Sequence, residues 1–325
     1  MAILRRALKL LGLAVLGSYL VISIVGAKFL VDGSMRPQHM LLRGHTPPQP
    51  WLRDAAYQRG VSTIEITAKD GARLRAWYLM SGPPARGAAI LLHGLGDDRA
   101  GMAGQAELLL RDGYNVLLPD SRAHGDSEGA FISYGVLEAD DVHRWVDWLE
   151  SNRATGAGNC VFGVGVSMGA AVILQSLNEE HRFCGVIAES SFATFREIAY
   201  DRIGQPFGLG PWLGKTVGFP LIEFGMIYAR LHYGIDFDRA SPKTAVTASS
   251  TPILLIHGLA DSNIPPYHAQ LLSAANRNIQ LWEPAGVQHG SAITDAPAEY
   301  KRRVTTFLQA HSRGFGTLRT AAASQ

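Results

Sequence analysis

Residues 160–175 read CVFGVGVSMGAAVILQ. An apolar run of strand character, Cys160 to Val166, stops at Ser167, and an apolar run of helix character takes over from Met168. The serine stands at a strand-to-helix junction, inside the pentapeptide Gly165-Val166-Ser167-Met168-Gly169. A turn that tight strains the serine backbone, so its flanking positions must be small, and Gly165 and Gly169 meet that need. The turn also holds the hydroxyl clear of the sheet, and the helix beginning at Met168 aims its free N–H groups and positive dipole end at the same point. In a chain with 35 glycines a bare G-x-S-x-G carries little. Its placement between strand and helix is what makes Ser167 a candidate nucleophile.

On the N-terminal side, VSTIEIT (61–67) and RLRAWYL (73–79) alternate with period two around AKDGA, a hairpin signal. Short apolar runs then alternate with helical periodicities: AAILLHG (88–94), a helix over about 99–111, NVLLPD (115–120), and a helix over about 136–150. Beyond the helix from Met168 come CGVIAES (184–190), PILLIHG (252–258), NIQLWEP (278–284) and a last helix over about 297–311. Apolar runs separated by helices predict a parallel sheet covered on both faces, here a starting hairpin plus six parallel strands, eight in all. The stretch at about 192–250 interrupts this alternation, and its residues 207–231, FGLGPWLGKTVGFPLIEFGMIYARL, are apolar, aromatic and punctuated by glycine. Two readings of it stand side by side: a lid over a greasy substrate or a surface that touches lipid, and helices packed on the core by their apolar sides.

At the N-terminus, Arg5, Arg6 and Lys9 precede Leu10–Ala27, LLGLAVLGSYLVISIVGA, which carries no charge. A bilayer-spanning helix needs about 20 such residues. The segment reads either as a retained anchor or as a signal peptide cleaved at the small-residue site Val25-Gly26-Ala27; its length and its continuation as Phe29-Leu30-Val31 favour the anchor. In both cases the cations stay in the cytoplasm and the rest of the chain is exported, membrane-anchored or secreted. The organisation expected is an anchor over 1–31, a linker or wrap over 32–60, a main domain over 61–315 containing the insertion, and a flexible tail over 316–325. The other 325-residue bounds are bland: 47% hydrophobic, 18% charged and net charge +2 describe a folded protein, and no basic stripe interleaved with aromatics points to nucleic acid. Cys160 and Cys184, the two cysteines, begin two strands expected to be neighbours, so in an oxidising compartment they form a possible disulfide; two buried thiols are the competing reading.

A serine hydroxyl is a poor nucleophile until a base takes its proton, and the base needs a carboxylate to hold its tautomer. LLIHGLADSNIP places Asp261 just after the seventh strand, and EPAGVQHGSA places His289 just after the eighth, both at the sheet edge where Ser167 emerges. Asp295 and Glu189 are less well placed acids; His257 lies within a strand and His268 within a helix, positions that suit structural histidines. The developing oxyanion needs donors, assigned to the backbone N–H groups of Met168 and of Leu95 in LLHGLGDDR, with His93 bracing that loop by a hydrogen bond. LLPDSRAHGDSEGA (117–130) brings Asp120, Arg122 and His124 into a polar loop read as a bracing network rather than a metal or phosphate site. No zinc-type Cys/His spacing, H-E-x-x-H or P-loop occurs, so no metal and no cofactor are expected.

Taken together, HGLG, DSRAHGDSEG, GVSMG, HGLADSNIP and VQHGSA resemble the motifs of the α/β-hydrolase superfamily in their order, over about 61–311. Within it the chain is similar to the monoacylglycerol-lipase-like and serine-aminopeptidase-like branch, particularly its membrane-anchored members. One departure is Ala123, where the family usually has glycine. The resemblance implies the α/β-hydrolase fold and a serine hydrolase acting on a small-molecule acyl substrate, an ester or thioester, through Ser167, His289 and Asp261. The apolar insertion and the anchor add the expectation of a lipid-like acyl group and of the lipid bilayer as partner. An aminopeptidase or acyltransferase on the same fold is the alternative chemistry, with Glu197, Glu223 and Asp236 as scattered acidic candidates for gripping an amine. A non-catalytic binding protein on the fold is the alternative from another class.

Overall fold

In the computed structural model the described residues are 2–36, 61–82, 84–152 and 160–312. The expected linker beyond residue 36 and the expected tail lie outside them. Eight strands form one sheet: β1 Val61–Thr67, β2 Arg73–Leu79, β3 Gly87–Leu92, β4 Tyr114–Pro119, β5 Val161–Val166, β6 Phe183–Glu189, β7 Ile253–Ile256 and β8 Ile279–Trp282. Helix α1 spans Ala2–Met35, followed by α2 Ala103–Arg111, α3 Glu138–Ser151, α4 Met168–Ser176, α5 Phe195–Gly204, α6 Gly210–Lys215 and α7 Phe219–Tyr228. Helices α8 Pro242–Ala248, α9 Tyr267–Ala275, α10 Ala292–Asp295 and α11 Pro297–His311 complete the set.

The sheet runs in the order β1-β2-β4-β3-β5-β6-β7-β8. The period-two hairpin pairs antiparallel, Val61 opposite Leu79, with Gly71 at φ 88° in its turn. β2 joins β4 antiparallel, and every pairing from β4 to β8 is parallel. β3 to β7 owe their unbroken apolar runs to burial on both faces. Ile90 and Leu92 point into one core, with Trp145 and Val146 of α3 and Ile173 and Leu174 of α4. Ala89 and Leu91 point into the other, with Leu109 of α2 and Tyr300, Val304 and Phe307 of α11. At the far end of the central strands from Ser167, Cys160 and Cys184 form a disulfide with their Cα atoms 5.7 Å apart, ahead of β5 and at the start of β6.

The described residues divide into two compact units, the sheet with its helices, and α1 together with Phe195–Arg239. Within the second unit, glycines let backbones meet: a Cβ on Gly204 would clash with the Gly210 carbonyl, and one on Gly214 would lie 2.3 Å from the Tyr200 carbonyl oxygen. Arg196 binds Asp238 and Glu223, and Lys215 pairs with Glu197 at 2.8 Å. Helix α1 continues past Ala27 to Met35 and packs along α7. A Cβ on Gly26 would touch Leu221 Cδ1 at 3.1 Å, one on Gly225 would touch Val31 Cγ2 at 3.3 Å, and the Tyr19 hydroxyl donates to the Val217 carbonyl. Asp32 accepts hydrogen bonds from the hydroxyls of Tyr228 and Tyr233, at 3.1 and 2.7 Å.

Candidate active site

The strand-to-helix junction at Ser167 is a strained turn. Ser167 sits at φ 56°, ψ −118°, between the end of β5 and the first residue of α4. Such a conformation costs a non-glycine residue about 1–3 kcal/mol and persists only when its surroundings enforce it. They do: the Ser167 N–H donates to the Glu189 carbonyl on β6 at 2.8 Å. A Cβ on Gly165 would lie 2.4 Å from the Gly169 carbonyl oxygen, and one on Gly169 would lie 2.2 Å from that of Leu92, so helix and strand approach too closely for any side chain. Both glycines are steric requirements of the turn.

From this turn the serine hydroxyl meets His289, whose Nε2 is 2.8 Å from Ser167 Oγ. His289 Nδ1 donates to Asp261 Oδ2, also at 2.8 Å. Three residues from three different strand ends thereby form one chain of hydrogen bonds. The second oxygen of Asp261 accepts the N–H groups of Asn263 and Ile264 at 2.9 and 2.8 Å. Burial alone would raise the Asp261 pKa, but the His289 hydrogen bond and charge and the Ile264 amide hold it below the ordinary value, so the carboxylate stays charged.

The rival residues occupy other places. Burial lowers the His257 pKa, and its Nε2 donates to the Ile264 carbonyl at 2.8 Å while standing 3.4 Å from Asp261 Oδ2. His268 Nδ1 accepts the Ala193 N–H at 3.1 Å. Asp295 is exposed and bound to Ser291. Glu189 is 2% exposed behind the His289 loop, where its Oε1 accepts the Ala292 N–H at 2.8 Å. Burial raises its pKa to about 7 against the opposing pull of that amide and of His289. Beside it Ser190, at φ 56°, accepts the Gly290 N–H on its Oγ at 3.1 Å and so ties down the residue after His289. Ser190 was not foreseen; the only signal for it was its place directly after Glu189 at a strand end.

The loop carrying Leu95 lies against Ser167: a Cβ on Gly94 would be 3.4 Å from Ser167 Cβ. Two buried histidines fix it. His93 Nδ1 donates to the Gly94 carbonyl at 2.8 Å and its Nε2 accepts the Ser121 N–H at 3.0 Å; burial lowers its pKa to about 4, which keeps Nε2 free to accept. His124 Nε2 accepts the Gly96 N–H at 3.3 Å. Asp120 accepts the N–H groups of Arg99 and Asp126, and Arg122 grips Asp141 through two hydrogen bonds of 2.8 and 2.7 Å. These residues brace the loops. Ala123, the departure from the family's glycine, is fully buried at φ 60°. Met168, as the first residue of α4, has an N–H that its own helix leaves without an acceptor. Among the described residues no cluster of three His, Cys, Asp or Glu side chains is arranged to hold a metal ion.

A doubly wound sheet with a strained serine on the central strand and a histidine and carboxylate on later strand ends defines a hydrolase architecture. The model of the alpha/beta hydrolase family matches residues 89–303, and the chain belongs to that family. The uncharacterized protein YqkD of Bacillus subtilis is 29% identical over 224 residues, 67% of this chain and 70% of that one. The uncharacterized membrane protein YNL320W of Saccharomyces cerevisiae is 25% identical over 256 residues, covering 74% of this chain and 79% of its own. Among solved structures, the esterase Pf2001 of Pyrococcus furiosus superposes with a TM-score of 0.64 at 26% identity, covering 82% of this chain and all of that one. The expected α/β-hydrolase fold, with an apolar N-terminal helix long enough to cross a membrane, is the fold found.

Proposed function

We propose that the protein is a serine esterase or thioesterase of lipid-like acyl substrates, held at a membrane by a retained α1 with its catalytic unit on the non-cytoplasmic side. The observation that carries the catalytic part is the continuous hydrogen-bonded chain from Ser167 through His289 to Asp261. In this reading His289 Nε2 takes the hydroxyl proton as Ser167 Oγ attacks the carbonyl, and Asp261 stabilises the imidazolium. The N–H groups of Leu95 and Met168 receive the oxyanion. The tetrahedral intermediate expels the alcohol or thiol, which takes its proton from His289, leaving an acyl-serine. Water, activated by His289, then releases the acid and restores the enzyme. The esterase named among the structural relatives supports the ester reading. Against a peptidase, two of the acidic side chains considered for gripping an amine are already engaged, Glu197 by Lys215 and Glu223 by Arg196.

Two observations support a retained anchor facing an oxidising compartment. The contacts of Tyr19 and Gly26 with the insertion would be lost on cleavage after Ala27. The Cys160–Cys184 disulfide suits the exported side.

The decisive experiment is labelling by a fluorophosphonate probe together with hydrolysis of nitrophenyl esters of increasing chain length. Wild type labels and Ser167→Ala does not, with hydrolysis falling by ~10⁴-fold or more. No labelling of wild type overturns the catalytic reading in favour of a binding protein; strong preference for acetyl esters overturns the lipid-like part alone.

A further inference from the structure

The contacts between α1 and the insertion place part of that insertion at membrane depth. The uncharged run of α1 is Leu10–Ala27, and Tyr19 lies at its middle. Val217 is fixed at the level of Tyr19, Leu221 at the level of Gly26, Gly225 at Val31, and Tyr228 and Tyr233 at Asp32. α7 therefore climbs parallel to α1 from the centre of the span to its outer end. At 1.5 Å per residue, Tyr19 lies about 13 Å below Lys28 along the helix axis, close to half the ~30 Å thickness of a bilayer's hydrocarbon. We propose that the α6–α7 corner of the insertion is a re-entrant wedge submerged in the non-cytoplasmic leaflet, its partner being the acyl chains of the lipid. This rests on the reading of α1 as a retained anchor.

Three independent features fit lipid as the occupant. First, exposed apolar side chains gather there. Outside α1, ten large apolar side chains are exposed among the described residues, and seven of them lie within 207–231, including Phe207, Leu209, Trp212, Val217 and Phe219. Second, residues 206–222 contain a single charge, Lys215, and it is neutralised by Glu197 and set over the Tyr200 ring at 5.8 Å. Third, non-helical backbone survives in hydrocarbon only when its polar groups are satisfied internally. Between α6 and α7 several of them are: Gly218 N–H donates to the Leu213 carbonyl at 2.8 Å, Phe219 N–H to that of Thr216 at 3.2 Å, the Thr216 hydroxyl to that of Trp212 at 2.7 Å, and Val217's carbonyl takes the Tyr19 hydroxyl. Pro211 and Pro220 bring no N–H to the first turns of α6 and α7. At the outer end the chemistry changes to that of a membrane–water boundary, with Lys28 over the Tyr228 ring, Arg36 over the Tyr233 ring, and Asp32 between the two tyrosine hydroxyls.

Because both native cysteines are in the disulfide, an introduced cysteine is the only free thiol. Full-length Val217→Cys and Trp212→Cys, each carrying an environment-sensitive fluorophore and reconstituted in phosphatidylcholine vesicles, should be quenched by spin labels on the lipid acyl chains. Iodide in the water should quench them several-fold less than the same fluorophore on Leu259→Cys, an exposed position on the sheet unit. At position 217 a label near the acyl-chain end should quench more than one near the headgroup. If the chain stays in the vesicles after an alkaline carbonate wash, yet iodide quenches positions 217 and 212 as well as 259, the wedge is refuted while the anchor stands. If carbonate releases the chain, the anchor reading itself fails and takes the wedge with it. Retained fluorophosphonate labelling in each variant shows that the catalytic unit is folded, and it reads the hydrolase proposal separately.

Discussion

Glu189 is a carboxyl held in the wrong medium. With its pKa raised to about 7 in the folded chain and near 4.5 unfolded, the folded state holds the extra proton between those pH values. Stability therefore falls as pH rises through that window, and above it the penalty reaches about 3 kcal/mol. Asp120, raised to about 6 by burial against the pull of Arg99, adds a loss of the same sign over the lower part of that range. Glu189→Gln keeps an acceptor for the Ala292 N–H and removes the charge. It should match wild type in urea at about pH 4, below the unfolded pKa, and exceed it at about pH 8, by up to about 3 kcal/mol; equal midpoints at both pH values would show Glu189 to be solvated. Ser167, Asp261 and His289 could be read from sequence because each follows an apolar run in a short motif with its own chemistry. The state of Glu189 could not, since it depends on α10 closing over it, and residues 189 and 292 stand far apart in the chain.

Among elements, the β5–β6 pair carries the most constraint. It holds the strained Ser167 turn at one end and the disulfide at the other, which closes a loop with a sequence separation of 24. Loop-closure entropy gives such a link about 3 kcal/mol. Cys160→Ala/Cys184→Ala should lower the thermal midpoint and bring the wild-type curve in reductant onto its own. An unchanged midpoint in both would mean that the link contributes nothing to the folded state. The strand runs and the flanking helices were legible, because burial on both faces writes itself as unbroken apolar sequence. The exchange of β3 and β4 in the sheet order was not, since periodicity records which faces are buried and says nothing of which strand is next door. Helix α1 runs a few residues past the expected anchor bound at 31: Lys28 and Asp32, at i,i+4, form an ion pair along the continuing helix to Met35.

At the scale of the whole molecule, α1 belongs with the insertion and not with the sheet. Removing residues 1–36 strips α7 of its Gly26, Val31 and Asp32 contacts and leaves the sheet unit's own bonds untouched. The shortened chain should keep fluorophosphonate labelling at Ser167, while chymotrypsin cuts within 207–231 several-fold faster than in the full-length protein in detergent. Equal cleavage rates would show that the insertion folds without α1. This pairing left no mark on the sequence beyond small residues at Gly26 and Gly225, each unremarkable among so many glycines.

The same pairing sets a schedule for making the protein. The two segments of that unit are separated by about 160 residues, which a ribosome adding roughly 5–20 residues per second needs on the order of 10–30 s to deliver. If α1 is the retained anchor proposed above, it would wait in the membrane for that interval with its Tyr19 hydroxyl and Gly26 face unmatched, and a segment made early would be among the last to finish folding. On that reading, a stall or misroute in mid-chain would leave an orphan helix in the bilayer, the form a membrane quality-control system would meet first.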